Sequence, residues 1–185
     1  LFFFYIFLLS KNITSDGIHV QKKLFKQFPF VKKKFFIINF GVNKFFYHRN
    51  YNSKLISPEI KRIIKLNKKK IIFSNRGYTE HYGFIDLVKF FKNKKSNKNK
   101  FTVILSGKSE KNYSDKNVLI ERLKKYNLEK NFVLLDYLNE NEIKFILLNS
   151  SVYVSSSKTD AGLSSSIAEA MSMNIPIVAH NNSDN

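Results

Sequence analysis

Beyond Lys70 the chain alternates short apolar runs with longer stretches whose apolar residues recur at helical spacing. Ile71-Ile72-Phe73-Ser74, Phe101 to Leu105, Phe132 to Leu135, Val152-Tyr153-Val154 and Ile175 to Ala179 read as buried strands. Between them, Phe84–Phe91, residues 116–127, Asn141–Asn149 and Ser164–Met173 read as helices. Val118, Leu119, Leu123 and Tyr126 share one side of the second of these. Residues 92–100, KNKKSNKNK, read as a solvated loop. Strands that alternate with helices over short connections predict an α/β fold with a parallel, doubly wound sheet and helices on both faces. Right-handed crossovers then bring every strand's C-terminal end to one edge, the edge at which open α/β sheets bind ligands.

The first 70 residues are patterned differently. Residues 18–28 put Ile18, Leu24, Phe25 and Phe28 near one helical face, after a turn signal at Asp16-Gly17. Phe35 to Ile38 is a short strand-like run closed by Gly41. Residues 43–70 lack a dominant period and hold Asn, Ser and Pro58, which predicts a linker carrying a short helix. Leu1 to Leu9 is apolar throughout. It is shorter than the ~20 residues that span a bilayer and lacks the basic start and cleavage site of a secretory signal. It reads as the buried end of an element that starts earlier, with a truncated membrane anchor as the alternative. Leu1 at the start and a polar run at the end read as a fragment open at both ends.

With 185 residues and 43% hydrophobic positions, a packed core is within reach and wholesale disorder is excluded. There is no cysteine, hence no disulfide framework, zinc knuckle or thiol nucleophile. His19, His48, His81 and His180 never pair at metal-ligand spacing, so no metal site is expected. The net charge of +18 is one-sided: residues 1–100 hold 23 Lys/Arg against four Asp/Glu, residues 101–185 nine against ten. Such a field attracts an anionic membrane surface or nucleic acid. A coding bias toward Lys, Asn, Ile and Phe accounts for the same numbers.

The chemistry concentrates in VYVSSSKTDAGLSSSIAEAMSMNIPIVA, residues 152–179. A strand enters a polar loop and then a helix opened by Ser164-Ser165-Ser166, good N-cap residues. The free N–H groups and positive end of that helix suit a phosphate, and Gly162 lets the backbone approach closely. Glu169, further along the helix, can accept hydrogen bonds from a diol such as ribose. An ordinary capped helix with a solvated or ion-paired Glu169 fits equally well. Ser155-Ser156-Ser157 lacks the His/Asp partner of a serine nucleophile.

IAEAMSMNIPIVA resembles the EAMAxGxPVVA signature of family 4 glycosyltransferases, and AGLSSSIAE resembles the E-x7-E segment before it. ITSDG at 13–17, IINFGVNKFF at 37–46, SNRGYTEHYGFIDLV at 74–88, VILSGKSE at 103–110 and residues 131–157 resemble further family segments in the same order. The resemblance implies the GT-B fold of two facing Rossmann-like domains. Residues 1–42 would end the N-terminal acceptor-binding domain, 43–69 would be the interdomain linker, and 70–185 would be a C-terminally truncated nucleotide-sugar donor domain.

It further implies an enzyme, a hexosyl- or glycosyltransferase, that moves sugar from a nucleotide-sugar donor to a glycan or lipid-linked acceptor with retention, without metal or cofactor. Surface polysaccharide or glycoconjugate assembly, in the cytoplasm or on the cytoplasmic face of a membrane, is the implied setting. By resemblance, Arg76 grips the donor diphosphate, Glu169 holds the ribose, and Gly162, Leu163, Ser164 and Ser165 meet sugar and phosphates. The family's second phosphate lysine has no clean match; His81 and Tyr82 stand there. The first glutamate of E-x7-E aligns with Ala161, with Asp160 adjacent. Arg76 paired to Glu80 or Asp86 is the structural alternative to phosphate. Tyr137 falls either near the nucleotide base or in the core. Asn174 stands at the family's glycine and tolerates the left-handed conformation. A non-catalytic nucleotide-sugar or glycan-binding relative is the second reading, on the ground of Ala161, and a basic nucleic-acid binder the third; no nucleic-acid motif supports the last. The piece alone is expected to be catalytically incomplete.

Overall fold

The computed structural model describes residues 2–38, 41–93, 100–108, 115–158, 160 and 163–181. Its larger unit is a five-stranded parallel sheet. The strands are β3 (Lys70–Ser74), β4 (Phe101–Ser106), β5 (Phe132–Leu135), β6 (Val152–Ser155) and β7 (Ile177–Ala179), in the order β5-β4-β3-β6-β7. The chain builds outward from β3 to β5, then returns to the other side of β3 with β6. Adjacent loops therefore diverge between β3 and β6, which opens a crevice at the C-terminal edge. In register, Ile72 and Phe73 of β3 face Val152 and Tyr153 of β6.

Alternation along the strands explains the two cores. Ile71 and Phe73 of β3 and Ile104 of β4 point to one face. They meet Ile60 of α3 (Pro58–Leu66), Ile146 and Leu147 of α6 (Glu140–Leu148), and Ile167 and Ala170 of α7 (Ser165–Ser172). Ile72, Val103 and Leu105 point to the other face, against Val88 and Phe91 of α4 (Phe84–Asn93) and Leu119 and Leu123 of α5 (Asp115–Lys125). Phe73, Val103, Ile104 and Leu105 are fully buried. At about 1.5–3 kcal/mol for each such side chain, these central strands anchor the unit and fix the loops that leave their C-terminal ends.

The first residues form a smaller unit: α1 (Phe2–Leu9), β1 (Ile13–Ser15), α2 (Ile18–Gln27) and β2 (Phe35–Ile37), with β1 and β2 parallel. Its core is Ile13, Val31 and Phe35, joined by Phe7, Leu24, Phe25 and Phe28. The expectation that the apolar start is buried is corrected: Phe2, Phe3, Leu8 and Leu9 are 50–80% exposed. Helix α1 is apolar on every side, and Phe7 is the residue it turns toward the cluster. Ile18, expected on the packed face of α2, is also exposed. No helix among the described residues is long and apolar enough to cross a membrane.

The segment between the units was expected as a linker with one short helix. It holds 3-10 turns at Lys44–Tyr47 and Ser53–Leu55 before α3. It is also built into the larger core, through Phe46, Ile56 and Ile60. Ends of other predicted elements move by one or two residues, as where the strand expected from Ile175 starts at Ile177.

Candidate functional site

Two loops meet at the crevice between β3 and β6. The first leaves β3 as Asn75-Arg76-Gly77-Tyr78. Tyr78 turns inward, and its hydroxyl donates toward the carbonyls of Leu105 (3.0 Å) and Leu135 (2.7 Å). It thereby ties down the ends of β4 and β5, and burial raises its pKa. The second leaves β6 as Ser156 to Lys158 and reaches the start of α7. These loops touch closely. Gly83 has φ +68°, and a Cβ there would strike the carbonyl of Ser156. A Cβ at Gly107 would strike the backbone of Gly77. Ser156 Oγ donates to the carbonyl of Tyr82 (2.7 Å), and Lys158 N to that of His81 (2.9 Å).

Arg76 lies at the centre. Its Nη2 forms an ion pair with Asp160, and its Nη1 donates to Ser166 Oγ (3.2 Å). The guanidinium carbon stands 4.9 Å from the centre of the Tyr82 ring, a cation–π contact. The side chains of Arg76 and Asp160 are only 12% and 9% exposed. Arg76 thus pairs with neither Glu80 nor Asp86; Asp86 pairs instead with Lys89 and Lys158. Among the described residues its buried Nε finds no acceptor. An arginine fork with one carboxylate and one unmet N–H, facing a helix N-terminus, is suited to a phosphate-type anion.

Helix α7 starts where predicted. Ser164 is the N-cap, its hydroxyl accepting from Ile167 N (3.4 Å) and lying 3.3 Å from Ser166 Oγ. The helix ends at Asn174, whose φ of +58° is the left-handed value expected at that position. The amides of Asn174 and Ile175 return to Met171 (2.9 Å) and Ala170 (3.0 Å). Ser165, at the first helical position, is exposed, and Leu163 turns into the core.

Glu169 lies half-buried on α7. Burial first, and the charge of Glu140 second, push its carboxyl up to about 7. Glu140 opens α6, and its charge reaches Glu169 in the middle of α7. Tyr153, fully buried, donates to Asn75 Oδ1 (2.8 Å), and burial pushes its phenol up to about 12.

The other candidates lie nearby in different roles. Tyr82 stacks on Arg76; His81 is exposed in the 3-10 turn Glu80–Tyr82. Tyr137 is 73% exposed after β5, so packing in the core is corrected: its ring stands at the surface with Lys108 5.7 Å away. Beside it lies a cavity of about 200 Å³, walled by Ser57, Glu59, Asp136, Tyr137 and Glu142 among others. Gly162 and Ala161 fall outside the described residues. Among the described residues no three His, Asp or Glu side chains gather as metal ligands would.

Residues 56–185 match the family described as glycosyl transferases group 1. The chain belongs to this family. The glycosyltransferase crystal structure from Rickettsia africae is similar at TM-score 0.77 and 18% identity, over 92% of this chain and 44% of that one. Anabaena Alr3699/HepE, solved in complex with UDP and glucose, gives 0.72 and 15% over 92% and 44%. TarM of S. aureus, solved with UDP among its ligands, gives 0.69 and 18% over 91% and 29%. These likenesses show the GT-B fold, and the chain spans less than half the length of these structures. No curated protein matches it.

Three residues of this group 1 domain escaped the sequence reading as site members. Ser166 was visible only as the third of three serines, and nothing marked it as Arg76's partner. Glu140 looked like a helix-start acid, since its approach to Glu169 depends on the sheet order. Lys144 did carry a signal, a charge inside the apolar run Ile143-Lys144-Phe145-Ile146-Leu147.

Proposed function

We propose that this chain forms the donor-binding half of a glycosyltransferase that takes sugar from a nucleotide-activated donor. Family membership and the arrangement around Arg76 support the reading together. The observation that carries it is Arg76 held against Ser166 at the N-terminus of α7, with Glu169 further along the same helix. That layout offers a diphosphate a guanidinium, free helix amides and the positive helix end. It offers a ribose the Glu169 carboxylate. The leaving nucleoside diphosphate gains negative charge as the glycosidic bond breaks, so preorganised donors at that position favour the transition state. Alr3699/HepE and TarM, both solved with UDP, make a uridine nucleotide the first donor to test.

The finer reading is a retaining, metal-free hexosyl transfer to a glycan or lipid-linked acceptor in polysaccharide or glycoconjugate assembly. The basic first half suits work against an anionic membrane surface on its cytoplasmic side. Gly162 and the backbone from Leu163 to Ser165 would close over sugar and phosphates. Tyr137 and the adjoining cavity would serve the base. Asp160 would stand in for the carboxylate missing at Ala161. The second reading, a binding protein without turnover, rests on that alanine: Ala161→Glu should raise turnover in the full chain if the alanine silences it.

Arg76→Leu tests the assignment. Calorimetry should show UDP affinity falling by about tenfold or more, at about 1.5–3 kcal/mol for hydrogen bonds to a charged group, while weak uridine binding stays unchanged. Equal UDP affinity in the two proteins would overturn the role given to Arg76.

A further inference from the structure

Lys144 is 1% exposed, on the inner side of α6 where its neighbours Ile146 and Leu147 enter the core. Burying an ammonium is costly unless its N–H groups are met. Here they are met by main-chain carbonyls of Phe45 and of Asn50 (2.9 Å), and by the ring of Phe45 at 3.6 Å. All three partners belong to one stretch almost a hundred residues earlier in the chain. Burial draws the lysine's pKa down, and Glu140, one turn before it, opposes that shift.

The same stretch is stitched to the same helix along its length. Asn43 Nδ2 donates to Glu140 Oε1 (3.1 Å). The amide of Asn52 donates to Asn141 Oδ1 (2.8 Å), and Asn139 Nδ2 to the carbonyl of Leu55 (2.9 Å). The amide of Ser57 donates to Glu142 Oε1 (3.1 Å), whose other oxygen completes the cap of α6. Tyr51 and Phe145 meet edge to face at 5.3 Å. On α7, Ser172 Oγ bridges the carbonyl of Glu169 (2.8 Å) and that of Phe46 (3.3 Å). The stretch thus touches the helix that carries Glu169.

We propose that Lys144 is a positioning residue, the central pin of a strap, residues 43–57, that α6 holds rigidly to the donor-binding unit. The inference rests on the function proposed above. It has a mechanical consequence. A segment placed like a linker moves with the donor unit, so any pivot between the two units lies N-terminal to Asn43. The strap then sets where the first unit arrives relative to Arg76 and Glu169. Lys144 acts on transfer through that placement and touches no donor atom.

The test uses the full chain and Lys144→Met, which keeps length and apolar fit but removes the N–H donors. Hydrogen exchange should speed up at the strap amides of Phe46 and Asn52 by at least about tenfold, with β3 and α7 unchanged. UDP affinity should stay within about twofold. Turnover of UDP-glucose, read as UDP release, should fall by roughly tenfold or more, since displacement by ~1 Å can cost that much. Residues 1–185 hold no cysteine, so in a protein of these residues Lys144→Cys, aminoethylated in urea and refolded, should restore strap protection. If Lys144→Met does not fold, Asn141→Ala should still speed exchange at Asn52 alone.

Unchanged strap exchange in Lys144→Met and in Asn141→Ala would overturn the strap. Loosened exchange with full turnover would overturn the positioning role. Failure of the unmodified full chain to bind UDP or turn over UDP-glucose would overturn the positioning role together with the donor reading, and the exchange result would still decide the strap.

Discussion

At Arg76 a carboxylate occupies part of the place that a phosphate would take. Asp160 and the diphosphate compete for one guanidinium, so Asp160→Ala should tighten UDP binding by a few-fold. Weaker binding would instead make Asp160 a contact to the ligand. Glu169 has the opposite problem. Its carboxyl, ordinarily near 4.5, is pushed up to about 7, so near neutral pH half of it is protonated. A ribose diol donates its hydrogens to the ionised form. UDP affinity should therefore rise with pH up to and through about 7, by at most tenfold per unit, then level off. Glu169→Gln should abolish that dependence. The folded protein carries the raised value, so this group favours folding most below its unfolded value. That contribution is lost as pH climbs from about 4.5 through 7. Glu169→Gln should flatten the loss, which thermal melts across that range would show. A wild-type affinity that is flat with pH would mean that Glu169 does not touch the diol.

Helix α7 gathers the site because its start and its stop are both written in the sequence. Ser164 caps one end, and Asn174 accepts the left-handed turn at the other. Ser164→Ala should cost about 1 kcal/mol of stability and weaken UDP binding, because the amides it orders are those offered to phosphate. An unchanged melting temperature would remove the cap from the account. Alternating apolar runs made the five strands and the helices between them legible, and the serine-rich helix start pointed to the ligand edge. Pairings across the crevice were less accessible. Arg76 sits 84 residues from Asp160 and 90 from Ser166, and only the return of β6 beside β3 brings them together. Helix α1 misled for a related reason. An unbroken apolar run says that burial is favoured, and carries no information on what supplies the burial.

Across the whole molecule, the strap and the crevice belong to one rigid unit, while the small unit with its exposed α1 stands apart as a second core. Charge does not follow that division: the cationic excess of residues 1–100 runs through both units, and the carboxylates Asp136, Glu140, Asp160 and Glu169 lie in the later part of the chain. At the ligand edge, Arg76 and helix amides are what would admit a diphosphate. Nothing in the pattern of apolar positions foretold that a stretch rich in Asn and Ser would be packed through Phe46 and Ile56. Several of its polar groups find partners on α6, which lies far away in sequence. The most direct test of the account is a calorimetric titration of the full-length protein with UDP, GDP and ADP, alongside Glu169→Ala. The account predicts that one nucleotide binds and that the variant loses about 1–3 kcal/mol of that affinity. A folded protein that binds none of the three, or one whose affinity is unmoved in Glu169→Ala, would contradict it.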